Sequence, residues 1–214
     1  MRDSFHSELE SLREQLSAMC AQAVEALRSA GRAVLEADHE LAERVVAADR
    51  EIDLARDRCD ETAQRLLALQ APVASDLRLV ITAVHCADKI ERMGDLAAHI
   101  ADTARLAHPA CVVPAELTGA VTELGTVAAG MADRLVELLR EPRSGGYAQL
   151  NETDQTVDAI HAELMNRITD TSWAYGIPSA TSLALLVRFY ERFADQAVSV
   201  AKRLDFACTG IMAA

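Results

Sequence analysis

The chain has 214 residues, of which 50% are hydrophobic but only 4% aromatic, so its core must be built from Ala, Leu and Val. Its 9 Gly and 5 Pro leave long stretches without the turn signals every ~8–12 residues that a β-sandwich or barrel needs, and its apolar content excludes a disordered chain. With 33 acidic against 21 basic residues the net charge is −12, which argues against nucleic acid and anionic membrane surfaces and leaves a cationic partner or hard metal ion open.

In chain order, hydrophobic periodicity predicts helices nearly throughout. The first runs from about Ser4 to Leu35, with Leu9, Leu12, Leu16, Met19, Ala23 and Leu27 on one side. The second starts at Asp38, a residue suited to an N-cap, and carries Leu41, Val45, Ile52, Cys59, Ala63 and Leu66. Gln70-Ala-Pro72 breaks the chain, and Pro72 is placed to open a third helix that ends near Ala107. The stretch from His108 to Pro114 reads as a linker. A fourth helix, Ala115 to Arg140, is weakened by Gly119, Gly125 and Gly130, each costing roughly 1 kcal/mol against Ala. After the loop at Pro142–Gly146 a fifth helix is expected over Tyr147–Trp173, and a sixth follows Tyr175-Gly-Ile-Pro178.

Five cysteines (Cys20, Cys59, Cys86, Cys111, Cys208) form no C-x-x-C pair, so neither a disulfide framework nor a zinc-site spacing is present. The opening residues lack the apolar core of a signal peptide. The longest uncharged run, Thr171 to Val187, is interrupted by Gly176 and Pro178 and is too polar to span a bilayer. A protein of the reducing cytoplasm, with no direct membrane insertion, is the expectation.

The third and sixth helices share a pattern at an offset of 100 residues. Glu91-Arg-Met-Gly-Asp95 corresponds to Glu191-Arg-Phe-Ala-Asp195, and Asp49-Arg-Glu-Ile-Asp53 on the second helix corresponds to Asp154-Gln-Thr-Val-Asp158 on the fifth. The fold class that follows is all-α: six helices in two consecutive, similar three-helix bundles, residues 1–108 and 114–214.

Residues i and i+4 on a helix are neighbours, so each pair sets two carboxylates side by side, a repulsion of about 0.2–0.5 kcal/mol. Two such pairs on adjacent helices make the oxygen-rich environment that Mg, Mn or Fe ions favour. Pairs at this spacing also occur at Glu10/Glu14 and Asp133/Glu137, so a solvated helix face explains any single one. Repetition in both halves points instead to a cation site.

At 100° per residue, Glu91 and Asp95 fall about 130–170° from the centre of their helix's apolar stripe, and the second-helix pairs about 60–100° away. This geometry predicts a surface cluster on each bundle. It disfavours a ferritin-like di-iron enzyme, which needs inward Glu residues and two E-x-x-H motifs; the one E-x-x-H, Glu36/His39, falls at a turn. Asp88 and Asp102 extend the stripe on the third helix, with His99 between Asp95 and Asp102, whereas Arg188, Ser199 and Lys202 stand at those places on the sixth. The first-half site should therefore be the more anionic. No phosphate-binding glycine loop, nucleophile elbow or Cys/His dyad is readable, so no catalytic constellation is found. A carboxylate-bridged di-metal enzyme and a metal-free helical adaptor are the alternatives to a non-catalytic metal-binding protein.

The two E-R-x-x-D segments, the paired D-x-x-x-D segments, Gln70-Ala-Pro-Val-Ala-Ser-Asp-Leu-Arg78, Phe5-His6-Ser-Glu-Leu9 and the run Tyr190 to Arg203 together resemble the PhoU family of phosphate-uptake regulators over essentially the full length. The resemblance implies a non-enzymatic, cytoplasmic regulator that holds the phosphate-starvation response off. Its implied partners are the phosphate importer's ATPase subunit and a membrane sensor histidine kinase, which would bring it to the inner face of the plasma membrane, and it implies a homodimer. It also implies divalent or multinuclear metal (Fe, Zn, Mn or Mg) at Asp49, Asp53, Glu91 and Asp95 in the first half, and at Asp154, Asp158, Glu191 and Asp195 in the second. Many members carry His after the last Asp of each third-helix motif; Leu96 and Gln196 stand there in this chain, which implies all-oxygen ligation closer to Mg or Mn. Ala194 replaces a common Gly.

Overall fold

The computed structural model describes residues 2–212, with side chains from Phe5 onward. Met1, Ala213 and Ala214, at the outer limits of the two expected bundles, lie outside the described residues. Six helices follow one another: α1 (Arg2–Glu36), α2 (His39–Gln70), α3 (Ala74–Ala107), α4 (Thr118–Arg140), α5 (Gly146–Ile168) and α6 (Gly176–Thr209), with a 3-10 turn at Ala115–Leu117 before α4. The described residues contain no strand, and none of their helices is long and apolar enough to cross a membrane. The fold is all-α, two three-helix repeats in series.

The local chemistry accounts for most boundaries. Asp38 caps α2, its side chain accepting from the Leu41 amide at 2.9 Å. Ala71 ends α2 in the left-handed region with φ 42°, and α3 begins at Ala74 rather than at Pro72, so Pro72 belongs to the connection and not to the first turn. Helix α5 stops at Ile168, short of Trp173. There the Asp170 carboxylate accepts from the Ser172 amide at 2.7 Å and its hydroxyl at 2.5 Å, giving the backbone a turn in place of another helical one.

Helix α4 is continuous through all three glycines. A Cβ at Gly119 or Gly130 would meet nothing within 4 Å, so these two carry only a propensity cost. Gly125 has a packing role: a Cβ there would lie 3.2 Å from the Tyr190 ring, and one at Gly31 would lie 3.0 Å from the Tyr190 hydroxyl. The two glycines let the fully buried Tyr190 of α6 thread between α1 and α4.

Helix α3 packs against α1, α2 and α6, and α6 packs against α3, α4 and α5, so α2, α3, α6 and α5 form one layer. Helices α1 and α4 pack on each other and cover it as a second layer. One continuous cluster of Ala, Leu, Val and Ile runs through both repeats. The start of α3 lies beside the end of α6, where the Arg78 guanidinium donates to the Ala207 carbonyl at 3.2 Å and sits over the Phe206 ring. Further along, His99 stacks on Phe189 with ring centroids 5.2 Å apart. Helices α3 and α6 are therefore antiparallel, as are α1 and α4, where Arg28 pairs with Asp133 and Arg140 donates to Ser17. Equivalent helices running in opposite directions relate the repeats by an approximate two-fold axis perpendicular to them. Along the middle of α3, between its exposed ends, Ile81, His85, Asp88, Arg92 and His99 remain exposed. Helix α6 repeats this stripe with Thr181, Leu185, Arg188, Arg192 and Asp195.

Candidate metal centres

In the first half the carboxylates meet across the seam between α2 and α3. Asp53, Glu91 and Asp95 each offer an oxygen, and the three lie within 4.8 Å of one another. All three are half-buried, as is Asp49 one turn back on α2. The close approach depends on Gly94. A Cβ there would lie 2.8 Å from the Ile52 Cδ1 atom and 3.1 Å from the Asp49 Oδ1 atom, so the missing side chain admits both residues of α2.

Crowding of like charges away from water disfavours ionisation. Burial raises Asp49 to about 6 from the usual 3.8, with Asp95 and Asp53 adding to the rise and His99 opposing it. Burial also raises Glu91, supported by Asp95 and Asp53 and opposed by Arg56 and Arg92. Arg56 itself lies against Asp57 at 3.4 Å and Asp60 at 4.0 Å, away from the centre of the cluster.

The second half repeats the arrangement between α5 and α6. Asp154 rises to about 6 through burial, then through Asp158, Asp195 and Glu191. Glu191 rises through burial and Asp195, and Asp195 through burial, with Arg188 opposing both. Glu191 is nine-tenths buried and ion-paired with Arg188 of the same helix. Its Oε2 atom and the Asp154 Oδ1 atom are buried without a hydrogen-bond partner. No trio of carboxylates as close as that of the first half occurs here among the described residues.

The clusters lie at the surface, as the helical wheel predicts, but in seams rather than on open faces: Asp158 and Asp195 are exposed, five of the acids are half-buried and Glu191 alone is buried. That expectation measured angles from the stripe facing the bundle interior. It could not register that α2 and α5 cover a second side of α3 and α6, which places the acids in seams and buries Glu191. Arg188 stands where the sequence comparison placed it, and its ion pair with Glu191 is the consequence. His99 is exposed, as its spacing suggests, but its charge acts on Asp49 and its ring stacks on Phe189. Arg56 was not foreseen; its position one turn beyond Asp53, at i+3, was the available signal. Glu36 and His39 fall at the α1–α2 turn, where His39 lies 3.4 Å from Glu43 and against the His108 ring.

The donors suit a hard cation. They are acceptor-only oxygens, mutually repelling and, except at the exposed Asp158 and Asp195, partly withdrawn from water; in the second half two oxygens are buried with no donor. Nothing in either cluster resembles a nucleophile with its base.

Two segments of the chain, residues 16–104 and 121–204, match the family described as the PhoU domain. The Mycobacterium leprae phosphate-specific transport system accessory protein PhoU homolog 1 is 44% identical over 212 residues, 98% of this chain and 95% of that protein. The Mycobacterium tuberculosis (strain H37Rv) PhoU homolog 2 is 41% identical over 210 residues, covering 98% and 99%. Among solved structures, the phosphate transport system regulatory protein PhoU from Streptococcus pneumoniae superposes with a TM-score of 0.90 at 26% identity over 98% of this chain and 99% of that one. PhoU from Pseudomonas aeruginosa gives 0.87 at 25% identity over 97% and 100%.

Proposed function

The chain belongs to the PhoU family, and from that premise we propose that it is an accessory regulator of phosphate transport that performs no catalysis itself. In this reading it restrains the phosphate-starvation response when phosphate is plentiful, by contact with the importer's ATPase subunit and with a sensor histidine kinase, as a cytoplasmic homodimer reaching the membrane through those partners. Partner binding can shift the kinase only if the chain binds its inhibitory state more tightly than its active one.

Asp49, Asp53, Glu91 and Asp95 would hold one metal site, and Asp154, Asp158, Glu191 and Asp195 the other. A divalent cation would supply positive charge that neutralises the crowded carboxylates and ties α2 to α3, or α5 to α6. The residues of the chain set the geometry: Gly94 allows the close approach of α2 and α3 at the first seam.

The observation carrying this reading is similarity over 98% of the chain to accessory proteins of phosphate-specific transport. Deleting the gene and following a phosphate-starvation reporter in phosphate-rich medium tests it. Release of repression is the expected result; a reporter that stays silent overturns the regulatory role.

A further inference from the structure

We propose that Arg188 is a resident counter-cation of the second-half carboxylates, so that the two halves take up metal unequally and the first half fills first. This rests on the metal-binding reading above and deepens it. Position 188 of α6 corresponds to Asp88 of α3 at the repeat offset of 100. One exposed charge on the outer stripe is therefore reversed between the halves.

The reversal has a structural consequence. The Arg188 guanidinium pairs with Glu191, three residues along the same helix. It satisfies one oxygen of a carboxylate whose other oxygen, Oε2, stays buried and unpartnered, as does the Asp154 Oδ1 atom. The pocket of negative charge is thus only half neutralised by the chain itself, and it retains oxygens for a second cation. Such a cation must enter against a positive charge already in place. Among the described residues no guanidinium ion-pairs with the first-half carboxylates: Arg56, whose charge also reaches Glu91, spends its ion pairs on Asp57 and Asp60, and Asp88 adds a further negative charge facing Asp60. Arg92 and Arg192 are exposed at matching positions, so they do not distinguish the halves.

Arg188 is a positioning and charge-setting residue with a half-exposed side chain, so its substitution should leave the fold intact. The test is manganese(II) titration of the full chain, stripped with chelator, counting free Mn(II) by electron paramagnetic resonance near neutral pH. The wild type should show a tight class and a weaker class of sites. Arg188→Gln should tighten the weak class by about tenfold, the order expected for removing one partly solvated charge near a divalent ion, and leave the tight class unchanged. Arg188→Lys, which keeps the charge, should behave as the wild type, and adding Asp154→Asn to Arg188→Gln should abolish the gain. If Arg188→Gln matches the wild type, or Arg188→Lys tightens binding equally, the inference fails while metal binding stands. If no protein takes up Mn(II), both the inference and the metal reading fail.

Discussion

The two carboxylate seams occupy equivalent places in the repeat but solve the same electrostatic problem differently. Between α2 and α3 a glycine lets the helices close on three converging acids, and the guanidinium nearby, Arg56, is ion-paired with Asp57 and Asp60 instead. Between α5 and α6 an alanine stands at the glycine's place, the fourth acid is nine-tenths buried, and an arginine from the outer stripe is paired with it. The repeat preserved where the carboxylates sit, while single residues on the same faces changed how their charge is balanced. Position on a helix and neutralisation of charge are therefore separable properties.

The strongest way to break this comparison is to remove the close approach. Gly94→Val places branched carbons against buried Ile52 and should destabilise the chain by about 2–3 kcal/mol, read as a lowered midpoint in denaturant with an unchanged slope. The reciprocal change, Ala194→Gly, should cost only about 1 kcal/mol, the difference in helix propensity. An equal loss in the two variants would mean that Gly94 is not specially required.

Titration sharpens what the halves share. Asp49 and Asp154 both lie near 6 in the folded chain against the usual 3.8. The folded state holds these protons more tightly than the unfolded one, so the stabilisation they bring is complete below about pH 4 and is lost as pH rises through about 6. The contribution of these two acids to the melting temperature of metal-free protein should accordingly be larger at pH 4.5 than at pH 7, read as the difference between wild type and the Asn variants below. Asp49→Asn or Asp154→Asn should each stabilise metal-free protein at pH 7 by about 1 kcal/mol, the full shift being reduced by solvent screening of half-exposed groups. The gain should vanish at pH 4. A variant with no gain at pH 7 would mean that the acids are already relieved by water.

The smallest expected effect concerns a contact between the halves that is not repeated at the symmetry-equivalent place. His99→Ala removes the stack on Phe189, which Ser199 cannot reproduce in the second half, and should cost about 0.5 kcal/mol by thermal unfolding.

Much of this was legible without coordinates. The six helices, the Asp38 cap, the break at Gln70-Ala-Pro72 and the twofold recurrence of E-R-x-x-D follow from periodicity and turn chemistry, which are local. The role of Gly125 was not legible, because what justifies a glycine there is the ring of Tyr190, 65 residues away in the sequence. Nor was the burial of Glu191. A helical wheel orders residues around one axis and cannot say how many neighbouring helices will cover it.

The sequence by itself determined the helical class, the two repeats, the eight acids and the sign reversal between Asp88 and Arg188. Each of these depends on residue spacing within one helix or on comparison of two. Tertiary structure alone decided that α3 and α6 run antiparallel through one core, that Asp53, Glu91 and Asp95 converge in a seam, and that Glu191 is withdrawn from water beside Arg188. These depend on distances between separate helices, which side-chain volumes at positions such as Gly94 set and which no single helix records.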